Sequence, residues 1–67
     1  MEYTHTYHVG GSSGVELELQ DIERTEMNYD RERSRLKITG EDTEFALAVL
    51  MLNNPEIKFT RLDKNGN

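Results

Sequence analysis

The stretch of residues 39–54 restricts the possible folds of this chain more than any other part of the sequence. Its middle, residues 45–52, contains no polar side chain, and we predict one helix over the whole stretch. A helix on the surface of a small domain needs one apolar stripe, whereas this helix is apolar around its full circumference. On a helical wheel, the first face consists of Phe45, Ala48, Val49 and Leu52. The second face consists of Ala46, Leu47, Leu50 and Met51.

A chain of 67 residues has enough other material to cover one of these helix faces, but not both. The chain contains no cysteine, so neither disulfides nor thiolate-bound metals can stabilise it. Small domains without such links often gain stability by oligomerising. We therefore predict a homodimer in which the second face packs across a two-fold axis, with Leu47, Leu50 and Met51 at the interface. The alternatives are burial under the chain's own strands and a groove on another protein.

The charge and hydropathy of the chain describe a small acidic protein. Thirteen acidic and eight basic residues give a formal net charge of −5, which disfavours non-specific binding to nucleic acid or anionic lipid. The longest apolar run is residues 45–52, far too short for a membrane span. Residues 1–5 contain neither a basic nor an apolar region, so we expect no signal peptide. These features favour a soluble, cytoplasmic protein.

Alternation of apolar and polar residues predicts four strands. We expect them at residues 2–9, 15–20, 35–39 and 57–62. Residues 10–14, rich in glycine, then form a hairpin loop, and a β-bulge near residues 20–22 explains a break in the alternation. Residues 63–67 are predicted to be a frayed tail.

The helix has recognisable signals at both ends. Residues 39–42 have the Thr-x-x-acid spacing of a capping box, and Pro55 ends the helix after Asn54. Residues 1–67 are thus predicted to be one α+β domain with a four-stranded, mostly antiparallel sheet packed on one helix, in the order β-β-β-α-β. Two consecutive hairpins form a meander, and the third and last strands are parallel. The expected core residues of the sheet are Val15, Leu17, Leu19, Leu36, Ile38, Ile57 and Phe59. The expected polar face carries Glu16, Glu18, Arg35, Lys37 and Lys58.

A row of alternating cations, Arg31, Arg33, Arg35 and Lys37, follows the second predicted strand. Projected to one side, they could contact a phosphate backbone, so a small dimeric nucleic-acid-binding protein is our second interpretation. We favour instead their pairing with acids of the neighbouring strand, because the acids match in number and no aromatic residue lies among the cations. Those predicted partners are Glu26, Glu23, Glu18 and Glu16.

The densest acidic run consists of Glu16, Glu18, Asp21, Glu23 and Glu26. A strip of carboxylates can imitate the phosphates of DNA and occupy a nucleic-acid-binding groove. Small phage-encoded inhibitors often have this size and charge, which is a similarity of composition class with no motif behind it. The simpler interpretation is a solvated strand face.

Motifs for catalysis or for cofactor binding are absent from the sequence. His5 and His8 should lie on opposite faces of a strand and cannot share a metal ion. The glycine-rich loop lacks the Gly-Lys-Ser/Thr ending of a phosphate loop. We therefore expect no enzyme activity, no cofactor and no metal. The function we favour is a non-enzymatic, homodimeric protein that binds and modulates or inhibits a macromolecule, most simply a protein. A third interpretation is a nucleotide-like ligand at the dimer seam, near Tyr3, Tyr7 and the glycine loop.

Overall fold

The computed structural model describes residues 1–10 and 14–62. Its elements are β1 (Tyr3–Val9), β2 (Thr25–Asp30), β3 (Arg35–Gly40), α1 (Thr43–Asn53) and β4 (Phe59–Leu62). The strands form one sheet in the spatial order β2-β3-β1-β4, and every neighbouring pair is antiparallel. The predicted α+β class, with four strands and one helix in the order β-β-β-α-β, is confirmed. The predicted tail at residues 63–67 and most of the glycine-rich loop lie outside the described residues.

The position of β1 inside the sheet explains the main error in the predicted topology. One edge of β1 pairs with β3 and the other with β4, so no edge is free for residues 15–20. Those residues do not form the predicted second strand, and the predicted first hairpin and the bulge at residues 20–22 are also wrong. Residues 15–22 instead cross the helix side of the sheet to reach β2 at its edge. The meander is reduced to the single hairpin β2–β3.

Asn54 supplies the hydrogen bonds that a neighbouring strand would have given to this crossing segment. Its side-chain Oδ1 accepts a hydrogen bond from the Glu18 amide at 3.0 Å, and its Nδ2 donates to the Glu18 carbonyl at 3.0 Å. The same Nδ2 donates to the Leu50 carbonyl at 2.9 Å, at the end of α1. Val15 and Leu17 pack against the core while Glu16 is exposed. The strand-like alternation therefore comes from burial of one side of an extended segment.

The helix begins four residues later than predicted. Asp42 is the N-cap, and its side chain accepts a hydrogen bond from the Phe45 amide at 3.0 Å. The predicted capping box at Thr39 is wrong because Thr39 belongs to β3, where its hydroxyl lies 3.1 Å from that of Thr4. The side chain of Asp42 thus satisfies one of the free amides of the first turn. The helix ends at Asn53, before the proline, as predicted.

The core lies between α1 and one side of the sheet. Its buried apolar residues are Tyr7, Val9, Leu36, Ile38, Ala46 and Leu50. Partly buried residues around it include Val15, Leu17, Ile22, Met27, Tyr29, Leu47, Ile57 and Phe59. Most of the predicted core residues therefore contact it, but Leu19 is 42% exposed. Among the described residues, no element covers the other side of the sheet, which we call the open face.

Candidate interaction surfaces

The outward side of α1 is an exposed apolar surface, which we call the outer helix face. It consists of Phe45, Ala48, Met51 and Leu52. Phe45 is 57% exposed, Met51 is 50% exposed and Leu52 is 82% exposed. Isolated exposed apolar residues are ordinary on protein surfaces, but neighbouring large ones typically mark a binding surface.

The structure exchanges the roles that the helical wheel predicted for the two helix faces. Leu50 is fully buried in its own chain and Leu47 is half-buried, so of the three predicted interface residues only Met51 is exposed. Leu50 is therefore wrong as an interface residue. The small side chains of Thr43 and Ala46 let this face of the helix approach β1 and β3 closely. Of the face that was expected to pack on the sheet, Phe45, Ala48 and Leu52 point outward and Val49 is half-buried.

A groove lies beside the outer helix face, between α1 and the residues that precede β2. It has a volume of about 450 Å³, and we call it the turn–helix groove. Its apolar lining comes from Ile22, Phe45 and Val49. Its other lining residues are Asp21, Glu23, Arg24, Thr25, Glu41 and Asp42. The turn–helix groove thus combines an apolar interior with carboxylates around it.

The carboxylates of the turn–helix groove differ in how well they are neutralised. Glu41 lies 3.7 Å from the Arg24 guanidinium and 3.6 Å from the N-terminal amine, and Asp42 caps the helix. Asp21 and Glu23 form no ion pair within residues 1–10 and 14–62. Two uncompensated negative charges therefore stand beside an apolar groove. The sequence does not reveal this site, although the break in alternation at residue 22 marks where the chain turns into it.

The open face of the sheet has the opposite character. Its cross-strand rows are Asp30–Arg35–His8–Thr60, Asn28–Lys37–Thr6–Leu62 and Glu26–Thr39–Thr4. A shallow groove of about 400 Å³ on this face is lined by Thr6, Asn28, Asp30, Arg33, Arg35 and Lys37. Arg33 lies 3.8 Å from Asp30, but Arg35 and Lys37 make no ion pair in the described part of the chain. In the cross-strand rows, the charges without an ion pair are therefore two bases, Arg35 and Lys37, and one acid, Glu26.

Only two of the four cations predicted to form a row lie side by side in the sheet. Arg35 and Lys37 lie side by side on the open face, whereas Arg31 and Arg33 lie in the turn between β2 and β3. Arg31 points to the crossing segment, where it donates to the Gly14 carbonyl at 3.0 Å and lies 3.9 Å from Glu16. The predicted cross-strand pairs are wrong, because the strand beside β3 is β2, where Glu26 lies opposite Thr39, and Glu16, Glu18 and Glu23 are outside the sheet. The contact of Arg31 with Glu16 is made outside a hairpin.

The remaining candidate site residues are the two histidines and the residues of the predicted nucleotide site. His5 and His8 lie on opposite sides of β1, as the alternation predicts, and the His5 ring nitrogen Nδ1 is 2.9 Å from Arg61. Tyr3 and Gly10 lie at opposite ends of β1, roughly 23 Å apart at the rise of a strand. They cannot form one nucleotide site with buried Tyr7. Among the described residues, no cluster of three metal-ligating side chains is present.

The fold and these surfaces define a small α+β protein with one helix on one side of a four-stranded antiparallel sheet. No family model matches the chain, and searches of curated proteins and of solved structures find no match. The helix at Thr43–Asn53 is too short to cross a bilayer, and no other helix occurs among the described residues. The exposed surfaces are therefore the basis for a functional proposal.

Proposed function

We propose that this chain is a non-enzymatic interaction protein that acts inside the cell as a homodimer and binds and modulates another macromolecule, most simply a protein. The observation that carries the proposal is the outer helix face, where Phe45, Met51 and Leu52 are each at least half exposed. Complete burial of such side chains contributes roughly 1.5–3 kcal/mol each. A second copy of the chain offers the same apolar surface, which favours an isologous contact.

The charges on α1 favour an antiparallel pairing of the two helices. Asp42 and Glu44 place negative charge at the start of the helix, and its last turn contains no basic residue. A helix of 11 residues is roughly 16 Å long. Antiparallel pairing separates the acidic ends by about that length, which is beyond the screening length of about 8 Å at physiological salt. The small side chain of Ala48 lets the paired helices approach closely at the middle of the contact.

Sedimentation equilibrium at micromolar concentrations tests the homodimer. Leu52→Asp places a charge on the outer helix face without disturbing the core, whereas the same change at buried Leu50 would unfold the chain. We expect a dimer for wild type and a folded monomer for Leu52→Asp. Leu19→Asp is the matched control, because Leu19 is also exposed but lies on the crossing segment, and it should stay dimeric. A monomeric wild type, or equal dissociation by both variants, would show that the outer helix face does not mediate dimerisation.

A second candidate function is binding to nucleic acid through the open face. It is supported by Arg35 and Lys37, which are exposed and lack ion pairs in the described part of the chain. Two features disfavour it. The net charge of the chain is −5, and no aromatic side chain lies on the open face to stack on bases. Contact with a phosphate backbone is the form of this function that the surface still permits.

A further inference from the structure

We propose that the turn–helix groove binds a basic, amphipathic segment of a partner protein, one that carries a large apolar side chain next to lysine or arginine. The inference rests on the proposed role in protein binding and names the partner's chemistry. The groove shares Phe45 with the outer helix face, and its other lining residues lie outside that face.

The apolar part of the groove determines the first requirement on the partner. Ile22 approaches from the crossing segment, and Phe45 and Val49 approach from adjacent turns of α1. Ile22 and Val49 are half-buried and Phe45 is 57% exposed, so an inserted side chain would remove more of their surface from water. A groove of about 450 Å³ is large enough for a leucine or aromatic side chain. The partner must therefore contribute an apolar anchor.

The charges around the groove determine the second requirement. Asp21 and Glu23 are exposed and have no ion pair among the described residues, and Glu41 and Asp42 add negative potential on the helix side. Arg24 is the only basic side chain in the lining and is already directed to Glu41. An apolar centre with a net negative rim favours a partner that carries positive charge beside its anchor.

A second copy of this chain does not fit these requirements. Its helix carries no lysine or arginine, so the outer helix face would bring only apolar and acidic groups to the groove. Of its bases without an ion pair in the described part of the chain, Arg35 and Lys37 lie on the open face, and Lys58 and Arg61 lie next to or in β4. Self-association through the outer helix face therefore supplies the apolar anchor without the charge, and the groove is best matched by a different protein.

Fluorescence anisotropy with three labelled synthetic peptides tests the inference. The first is an amphipathic leucine–lysine peptide, the second replaces each lysine by glutamate, and the third replaces each leucine by serine. We expect saturable binding of the leucine–lysine peptide alone. Binding of the serine–lysine peptide with equal affinity would mean that only charge is recognised, and absence of saturable binding to any peptide would also overturn the proposal.

Charge-matched variants locate the binding site. Asp21→Asn with Glu23→Gln removes two negative charges at the groove, and Glu32→Gln with Glu56→Gln removes two exposed charges that do not line it. We expect the first pair to weaken binding of the leucine–lysine peptide roughly two- to thirtyfold, since exposed ion pairs are individually weak. The second pair should change it less than about twofold. Equal effects of the two pairs would overturn the groove as the site.

Phe45 belongs to both the groove and the outer helix face, so Leu52→Asp is the variant that separates this inference from the proposed dimer. Phe45→Ala removes apolar lining and should weaken binding of the leucine–lysine peptide at least about threefold. Leu52→Asp should leave peptide binding within about twofold, because Leu52 does not line the groove. Loss of peptide binding in Leu52→Asp would overturn the groove as an independent site. A wild-type chain that is monomeric but binds the peptide would refute the dimer and leave the groove standing.

Discussion

The two sides of the sheet differ both in what they bury and in the charges they leave uncompensated. On the helix side, the core residues are covered by α1 and by the crossing segment, and the unpaired charges of the turn–helix groove are Asp21 and Glu23. On the open face, polar side chains form the cross-strand rows, and their charges without an ion pair are Arg35, Lys37 and Glu26. The chain thus presents an apolar groove with unpaired carboxylates on one side and a polar face of mixed charge on the other. The stability of the fold depends on the first side, and the second side is free for binding.

The largest expected effect comes from comparing two leucines on the same helix. Leu50 is fully buried on the helix side, and Leu52 is 82% exposed. Leu50→Ala removes core contacts and leaves a cavity, so the free energy of unfolding should fall by about 2–5 kcal/mol. Leu52→Ala should change it by less than about 0.5 kcal/mol. Urea denaturation checks this at a protein concentration where sedimentation shows monomer, since dimerisation would add to the apparent stability. Equal effects of the two substitutions would contradict the helix orientation.

The second test compares two neighbouring asparagines. Asn54 is buried and bonds the Glu18 main chain and the Leu50 carbonyl, whereas Asn53 is exposed and donates only to the Val49 carbonyl. Asn54→Ala leaves buried polar groups unpaired and should lower the free energy of unfolding by about 1–3 kcal/mol. Asn53→Ala should lower it by less than about 0.5 kcal/mol. Amide hydrogen exchange adds a local readout, because the Glu18 amide should exchange faster only in Asn54→Ala. Unchanged protection there would mean that other contacts hold the crossing segment.

These asparagines also show how far the sequence predicts this fold. Local patterns were sufficient for the apolar helix, for its end before Pro55, and for β1 and β3. The alternation of residues 15–20 predicted a strand, because alternation reports one-sided burial and carries no information about the neighbour. That neighbour is the side chain of Asn54, 36 residues away from Glu18. Thr25–Asp30 is the real second strand, and it pairs with the edge of β3 that β1 leaves free.

The candidate surfaces were less predictable than the fold. A helical wheel separates two apolar faces of α1 but does not say which face meets the sheet, and Leu50 was assigned to the wrong one. The turn–helix groove joins Asp21 and Glu23 to Glu41 and Phe45, which are about 20 residues apart in the chain. Only the crossing of residues 15–22 over the helix side brings them together. In contrast, Arg35 and Lys37 on the open face follow directly from strand alternation.

A third, smaller effect is the pH dependence of stability that comes from the buried Tyr7 on the helix side. Burial raises the pKa of the Tyr7 phenol above 10.0, with Arg61 opposing the rise and Glu44 adding to it. Above about pH 10, the unfolded chain loses the Tyr7 proton while the folded chain keeps it, so stability falls as the pH rises. Tyr7→Phe removes this loss, and its free energy of unfolding should decline less steeply than that of wild type between about pH 9.5 and 11. Tyr3→Phe is the control at an exposed tyrosine and should follow wild type.

The smallest expected change in the free energy of unfolding is for substitutions on the open face, because these side chains do not contribute to the core. Arg35→Ala with Lys37→Ala removes two exposed side chains that lack ion pairs, so the free energy of unfolding should stay within about 0.5 kcal/mol of wild type. Arg31→Ala with Arg33→Ala is matched in charge but breaks the contacts with Glu16 and Asp30, and should cost slightly more. Fluorescence anisotropy with labelled duplex DNA and RNA, from low to moderate salt, tests whether Arg35 and Lys37 bind nucleic acid. We expect no affinity; binding that weakens steeply with salt and disappears only in the first pair would favour the nucleic-acid function instead.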